Sequence, residues 1–300
     1  MRPEPAFIGV DWGTSNARFL LVDDAGNLIE QRGGPGIGQI AGSERIEEIC
    51  FDSIGEWLIQ SPSLPIIMAG MVGSNIGWHL ADYAQTPAKF DKIVNGIKQF
   101  QARGHDFYIA PGLSTQRSDG LPDVMRGEEI QIFGVSRGQD ALFCLPGTHS
   151  KWAACSGDTI TEFHTALTGE LLDLIGRNSI LLNPRRPVRA AADHDFQHGI
   201  LTAKDTALGL ESLLFTVRSR QISGEIHDGQ SENYLAGLAI GCEIRSATML
   251  YGARQMITLV GSPDLTALYA AGLDCFGTQS EQVSGDIASL AGLFKLYQSM

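Results

Sequence analysis

Two short stretches carry residue types suited to handling a phosphate. The first is Asp11-Trp12-Gly13-Thr14-Ser15, with Arg18 close behind it. A carboxylate at the mouth of an apolar run suits a magnesium-bound phosphate, because Mg²⁺ takes one or two carboxylates and fills its shell with phosphate oxygens and waters. Gly13 lets the backbone approach an anion, and Thr14 and Ser15 can donate hydrogen bonds. The same five residues also read as a hairpin whose aspartate caps a turn. The second stretch is Gly147-Thr148-His149-Ser150-Lys151, which repeats the plan of Gly, Thr, hydroxyl and nearby cation 134 residues further on. Two such hairpins facing each other across a cleft can grip one polyphosphate from both sides.

The flanking residues repeat as well. AFIGVDW, ARFLLVD and LIEQR (6–32) read as three strands joined by turns, and ALFCLPGTHSKWAACSGDTITEFHT (141–165) reads as a second meander of the same design. Duplication of one plan accounts for the echo better than chance similarity. Residues 43–60 carry a period near 3.6 with Ser43 at the N-cap position, so a helix is expected there. LPIIMAG (64–70) reads as a buried strand, FDKIVNGIKQFQARG (90–104) as an amphipathic helix and DFYIAPG (106–112) as a strand. Helical periodicity returns in 165–182, 205–222 and 232–255. A strand, turn and helix follow over 257–273, with a closing helix over 287–299. Alternation of strand and helix signals an α/β protein.

Composition narrows the partners. The chain has 300 residues, 22 basic and 34 acidic, for a net charge of −12, a field that repels nucleic acid and anionic membranes. Cys50, Cys144, Cys155, Cys242 and Cys275 form no C-x-x-C pair, which fits neither a disulfide framework nor a zinc site and points to a reducing cytoplasm. The N-terminal residues lack the apolar stretch of a signal peptide. The long uncharged stretch 61–81 is interrupted by prolines, glycines, Asn75 and His79, so it reads as a strand and loop rather than a membrane span. No lysine precedes Ser or Thr, which removes the P-loop, and GGPGIG (33–38) lacks the spacing of a dinucleotide fingerprint. Gly134-Val135-Ser136-Arg137-Gly138 follows a helix and reads as its C-cap, not as a nucleophile elbow. His194 and His198 stand at i, i+4 among polar flanks with no third ligand, and a solvated segment is expected there.

Taken together, DWGTSNAR (11–18), AGMVGSNIGW (69–78), MRGEEIQIFG (125–134), LPGTHSKW (145–152) and LYAAGL (268–273) resemble the 2-dehydro-3-deoxygalactonokinase family of the actin-like ATPase superfamily. The resemblance covers most of the chain and is weakest over 185–230. It implies an α/β fold of two actin-like domains with the nucleotide in the cleft between them: 1–135 on the sugar side, with the last helix, 285–300, packing back on it, and 136–284 on the adenosine side. It implies ATP and Mg²⁺, with Asp11 holding the ion through water. Gly13, Thr14, Ser15 and Arg18 form the first phosphate motif, Gly147, Thr148, His149, Ser150 and Lys151 the second, and Gly261 the adenosine-side turn.

Related sugar kinases place a Gly-Asp-Gln element before the second phosphate motif, its Asp taking the proton of the attacking hydroxyl. This chain has Gly127-Glu128-Glu129 instead. The base is therefore open among Glu128, Glu129 and Asp123, with Glu128 favoured and Asp123 next. Glu128 and Glu129 also suit a helix N-terminus simply by complementing its dipole. Gly73, Asn75 and Trp78 of the glycine-rich loop are candidates for sugar contact, with loop packing as the alternative for Asn75 and Trp78. Arg126 is a candidate for the substrate carboxylate, with a surface salt bridge as its alternative. The expected reaction is transfer of the ATP γ-phosphoryl group to O6 of 2-dehydro-3-deoxy-D-galactonate. A kinase of the gluconate epimer and a nucleotide-gated ATPase of the actin or chaperone kind are the rivals, although no peptide-binding module is visible.

Overall fold

Near-continuous apolar runs suit strands covered on both faces. Phe7, Ile8, Val10 and Trp12 are such a run, and a computed structural model of the chain, describing residues 3–182, 185, 187–227 and 229–300, buries all four in the middle of a sheet. The first meander is β1 (Pro5–Trp12), β2 (Asn16–Asp23) and β3 (Leu28–Pro35). It is followed by α1 (Ser43–Gln60), β4 (Ile66–Gly70), β5 (Tyr83–Gln85), α2 (Phe90–Asn95), β6 (Lys98–Ala102), β7 (His105–Ile109), β8 (Gly112–Gln116), β9 (Pro122–Met125) and α3 (Glu128–Val135). The second meander is β10 (Ala141–Leu145), β11 (Ser150–Ser156) and β12 (Thr159–Ala166). Helices α4 (Thr168–Asn178), α5 (His194–Lys204), α6 (Leu210–Leu213), α7 (Phe215–Ile222) and α8 (Ser231–Tyr251) come next, then β13 (Met256–Gly261), α9 (Pro263–Cys275), β14 (Gln279–Ser284) and α10 (Gly285–Ser299).

The chain divides into two compact units. One runs to Asp140 and takes in Cys155–Phe163 and α10; the other comprises Ala141–Ala154 and His164–Ser284. In the first, the sheet order is β3-β2-β1-β4-β7-β6, with β1, β4 and β7 parallel, beside a small β5-β8-β9 sheet. Its core joins Trp12, Phe19, Ile46, Ile54, Trp57 and Phe107. Helix α10 covers a face of β1: Leu293 meets Gly9, and Phe7 stacks on Tyr297 at 4.7 Å. From the sheet β12-β11-β10-β13-β14 the second unit holds the parallel strands β10, β13 and β14. There α5, α8 and α9 cover Trp152, Phe196, Ile240 and Leu259. Among the described residues, no helix is long and apolar enough to cross a membrane.

Two expectations fail locally. Residues 90–104 form a single helix only as far as Asn95; Lys98–Ala102 is an edge strand antiparallel to β7. Phe100 and Ala102 alternate toward the core, and pairing with β7 satisfies the backbone, so a period of 2 wins over the helical reading. The segment around His194 and His198 is not a solvated stretch but helix α5. Asp193 caps it by accepting the Asp195 and Phe196 amides, each at 3.0 Å, and Phe196, Ile200 and Ala203 form an apolar stripe against α8. His194 remains exposed, while the His198 ring lies 5.4 Å from that of Tyr234.

Leu293 is fully buried on β1, so Leu293→Ala is expected to cost about 2–5 kcal/mol through lost transfer energy and a residual cavity. Ile287→Ala, on the exposed part of the same helix, should stay within about 0.5 kcal/mol. Urea unfolding of both variants measures the contrast, and equal losses would mean that α10 is not held by Leu293.

Candidate functional site

The expected phosphate motifs lie just beyond the carboxyl ends of parallel strands, where open α/β sheets bind their ligands. In the first unit the β1–β2 turn is closed by the Gly13 amide on the Asn16 carbonyl at 2.9 Å. Every carbonyl of Gly13, Thr14 and Ser15 is taken up by the segment after β3. Ile37 N donates to Gly13, Gly38 N to Thr14, and Gly36 N and the Gln39 amide to Ser15. That contact is possible only because residue 36 is glycine, since a Cβ there would stand 2.2 Å from the Thr14 oxygen. The GGPGIG run thus acts as a backing for the turn. Thr14 and Ser15 are exposed.

Asp11, at the end of β1, is nearly buried. Its Oδ2 accepts from Arg18 at 2.7 Å and from the Ser289 hydroxyl of α10. Arg18 also pairs with Asp286. Burial works against charge on Arg18, but the two carboxylates outweigh it and its pKa is raised. Arg18, expected at a phosphate, is here held between Asp11 and Asp286.

At the end of β4, Gly70 meets Gly127, the N-cap of α3, with a built Cβ only 3.1 Å from the Gly70 Cα. This brings the start of α3 to the strand ends. The Glu128 carboxylate accepts the Arg126 amide at 3.0 Å, and the Glu129 carboxylate accepts the Gly127 amide at 2.8 and 2.9 Å. Glu129 is fully buried. Burial pushes its carboxyl up to about 8, with neighbouring Glu128 adding to the shift and the Gly127 amide opposing it. Asp123 sits apart on β9, accepting the Val124 amide and lying 3.9 Å from the Arg117 guanidinium.

Arg126 is more than nine-tenths buried, so the surface salt bridge does not describe it. Its Nη2 donates to the Ala81 carbonyl at 2.8 Å, and its guanidinium lies 4.2 Å from the centre of the Tyr83 ring. Among the described residues its Nε and Nη1 have no hydrogen-bond partner, and neither does the buried Ser74 hydroxyl. Gly73 stands against Nη1, where a Cβ would come within 2.9 Å. Ser74 escaped notice in the sequence because one serine in a glycine loop carries no signal of burial. Asn75 is exposed on the same loop. Trp78, weighed as a sugar contact, is packed edge-to-face on Phe51, Phe100 and Phe107, so its ring belongs to the core and pins the loop.

In the second unit the Gly147–Lys151 turn follows β10. The Gly147 amide reaches the Ser150 hydroxyl at 3.4 Å, buried Lys151 donates to the His149 carbonyl at 3.1 Å, and His149 Nε2 contacts Glu170. Glu170 N donates to the exposed Thr148 at 3.0 Å, and Gly169 presses on the Gly147 carbonyl, where a Cβ would come within 2.3 Å. A glycine thus backs this turn too. Beside it lies a cavity of about 680 Å³ whose wall includes Gly147, Thr168, Val188, Ile240, Asp264 and Leu268. It is within the size range of small-molecule sites. Gly261 ends β13 next to Pro146, and the start of α9 supplies Asp264 and Leu265 to the cavity.

Residues 11–296 match the model of the family described as 2-keto-3-deoxy-galactonokinase. The chain is 33% identical over 288 residues to 2-dehydro-3-deoxygalactonokinase of Escherichia coli (strain K12), covering 96% of each. It superposes with a TM-score of 0.85 and 30% identity on a crystal structure from Sinorhizobium meliloti described provisionally under the same kinase name, over 98% of this chain and 96% of that one. Component A of the (R)-2-hydroxyglutaryl-CoA dehydratase of Acidaminococcus fermentans gives a TM-score of 0.55 at 10% identity over 99% of both chains, a likeness of fold alone. The α/β actin-like ATPase fold implied by the sequence is the fold observed.

Because the folded-state pKa of Glu129 lies above the ordinary carboxyl value of 4.5, the fold favours its protonated form. That contribution is complete below pH 4.5 and is lost as pH rises through about 8. Urea unfolding between about pH 5 and pH 9 should therefore show wild-type stability falling more steeply than that of Glu129→Gln. Parallel curves would show that Glu129 ionises in the fold without cost.

Proposed function

Because the chain belongs to the 2-keto-3-deoxy-galactonokinase family, we propose that it transfers the γ-phosphoryl group of ATP to O6 of 2-dehydro-3-deoxy-D-galactonate, a step of galactonate breakdown. The observation that carries the substrate half of this reading is Arg126. A guanidinium buried with two open donors is costly unless a ligand completes it. A planar carboxylate is the matching acceptor, and bidentate pairing with arginine is its favoured geometry. The buried Ser74 hydroxyl supplies a further hydrogen bond to the same end of the sugar acid.

In this reading the substrate hydroxyl oxygen forms a bond to the γ-phosphorus, the bond to the β-phosphate oxygen breaks, and ADP leaves. Glu128 accepts the hydroxyl proton, its carboxylate steadied by the Arg126 amide next to the carboxylate-binding side chain. Glu129, whose burial favours the protonated form, is less suited to that role. Thr14 and Ser15 donate to phosphate oxygens from the first turn, and Thr148 and Lys151 do so from the second. The cavity beside Gly147 takes the adenosine.

The donor set suits Mg²⁺. Among the described residues no cluster of three or more His, Cys, Asp or Glu could hold a metal by itself, whereas Mg²⁺ needs few protein ligands when phosphates and water complete its shell. Asp11 would hold it, and when bound the ion neutralises charge on the phosphate oxygens. The same reading places the enzyme in the cytoplasm, where ATP is supplied and free cysteines persist.

Mass spectrometry and coupled ADP release over a panel of sugar acids test the reaction; no phosphorylated acid, with the gluconate epimer included, would overturn it. Arg126→Met should raise KM for the sugar acid roughly 10- to 100-fold with a smaller effect on KM for ATP, and the reverse pattern would move Arg126 to the phosphate side. Glu128→Gln should lower kcat by roughly 10²- to 10⁴-fold, with Asp123→Asn as the comparison. A larger loss in Asp123→Asn would reverse the assignment of the base. Asp11→Asn should remove most turnover while circular dichroism stays native.

A further inference from the structure

Beneath the second turn the fold buries a carboxylate that the reaction does not use. Glu243, in the middle of α8, accepts the Trp152 indole N–H at 2.7 Å through Oε1 and the Tyr269 hydroxyl at 2.7 Å through Oε2. Tyr269 Oη lies 2.9 Å from Ser150 Oγ, which accepts the Gly147 amide at 3.4 Å. The hydroxyls of Thr168 and Ser150 also hold the Glu243 carboxyl down, against the effect of burial.

A carboxylate can only accept, so it sets the direction of every bond in this chain. Tyr269 spends its proton on Glu243. Ser150 must then give its own proton to the tyrosine oxygen or to the carboxylate, and its lone pairs face the Gly147 amide. Glu243, Trp152, Tyr269 and Ser150 are all buried, so no water competes for these bonds. Burial alone raises the carboxyl pKa of Glu243, so keeping an ionisable group there carries a cost that packing alone would not require. Gly147, Thr168 and Tyr269 also line the 680 Å³ cavity.

We propose that Glu243 is a positioning residue for the nucleotide: through Tyr269 and Ser150 it holds the Gly147 amide, and with it the turn and the adjoining cavity wall, in the form that accepts a nucleoside diphosphate. This rests on the reading that the Gly147–Lys151 turn and its cavity are a nucleotide site. Neither the phosphate motif nor the family resemblance points to this residue, which lies 92 positions after Lys151 on a helix that reads as core.

The test is ADP binding by titration calorimetry, with KM for ATP and for the sugar acid measured separately. Tyr269→Phe keeps the ring and removes only the hydroxyl that links Glu243 to Ser150. Glu243→Gln keeps the shape and replaces one acceptor with a donor. Both variants should raise the Kd for ADP about 10- to 100-fold, the scale of one lost buried hydrogen bond to a charged group, and should raise KM for ATP in parallel. KM for the sugar acid should stay within about twofold. Unchanged ADP affinity in Tyr269→Phe, with wild type binding ADP, overturns the proposal alone. A fall in Tm with equal losses for both substrates also overturns it, because that pattern belongs to a merely structural network. If wild type binds no ADP, the nucleotide reading of the turn fails with it.

Discussion

Burying a charge without completing its hydrogen bonds is among the most expensive things a fold can do, and the first unit does so at Arg126. The surrounding elements follow from that constraint. Ala81 must present its carbonyl and Tyr83 its ring face, so the chain after β4 has to double back. It does so through a loop closed by its own backbone, with Trp78 N on the Val72 carbonyl at 2.8 Å and Ala81 N on the Gly73 carbonyl at 3.0 Å. Trp78 anchors the return by entering the aromatic cluster of the core. In the proposed reading, a protein with net charge −12 repels an organic acid at long range, and a desolvated cation at short range recovers selectivity for one.

The two turns proposed to bind phosphate share a second constraint. Each must present donors to an anion, and a turn exposes carbonyls as readily as amides. Both halves meet this by pressing a glycine of another segment onto the turn. Gly36 meets Thr14 O and Gly169 meets Gly147 O, and neighbouring amides occupy the carbonyls of Gly13 to Ser15 and of Thr148. The backing comes from a 3₁₀ turn in one unit and a helix N-terminus in the other. The common requirement is therefore removal of acceptors, met by unrelated local structures.

Acidic side chains show how burial sorts residues of one type. Asp11 keeps a cation and a hydroxyl as partners, Glu129 keeps the Gly127 amide and is pushed toward its neutral form, and Glu243 collects donors from β11 and α9. Adjacent Glu128 and Glu129 are alike in sequence, yet one is partly exposed and the other fully buried, and so they suit different chemistry.

The meanders, the Gly-Thr turns, helices α1, α8 and α10 and the family were all legible in the sequence, because each rests on local periodicity, turn chemistry or a contiguous motif. Strand β6 was not, since six residues of amphipathic helix before it extend the helical pattern until pairing with β7 overrules it. Helix α5 was masked by its polar positions, although its apolar stripe at Phe196, Ile200 and Ala203 was present. Arg126, Ser74 and Trp78 could be named as residues of interest or overlooked, but whether they face water, ligand or core depends on segments that arrive from elsewhere in the chain. Glu243 is the extreme case. Its partners lie on β11 and α9, and a side chain's hydrogen bonds exist only once packing has excluded water and brought those distant donors within 3 Å of it.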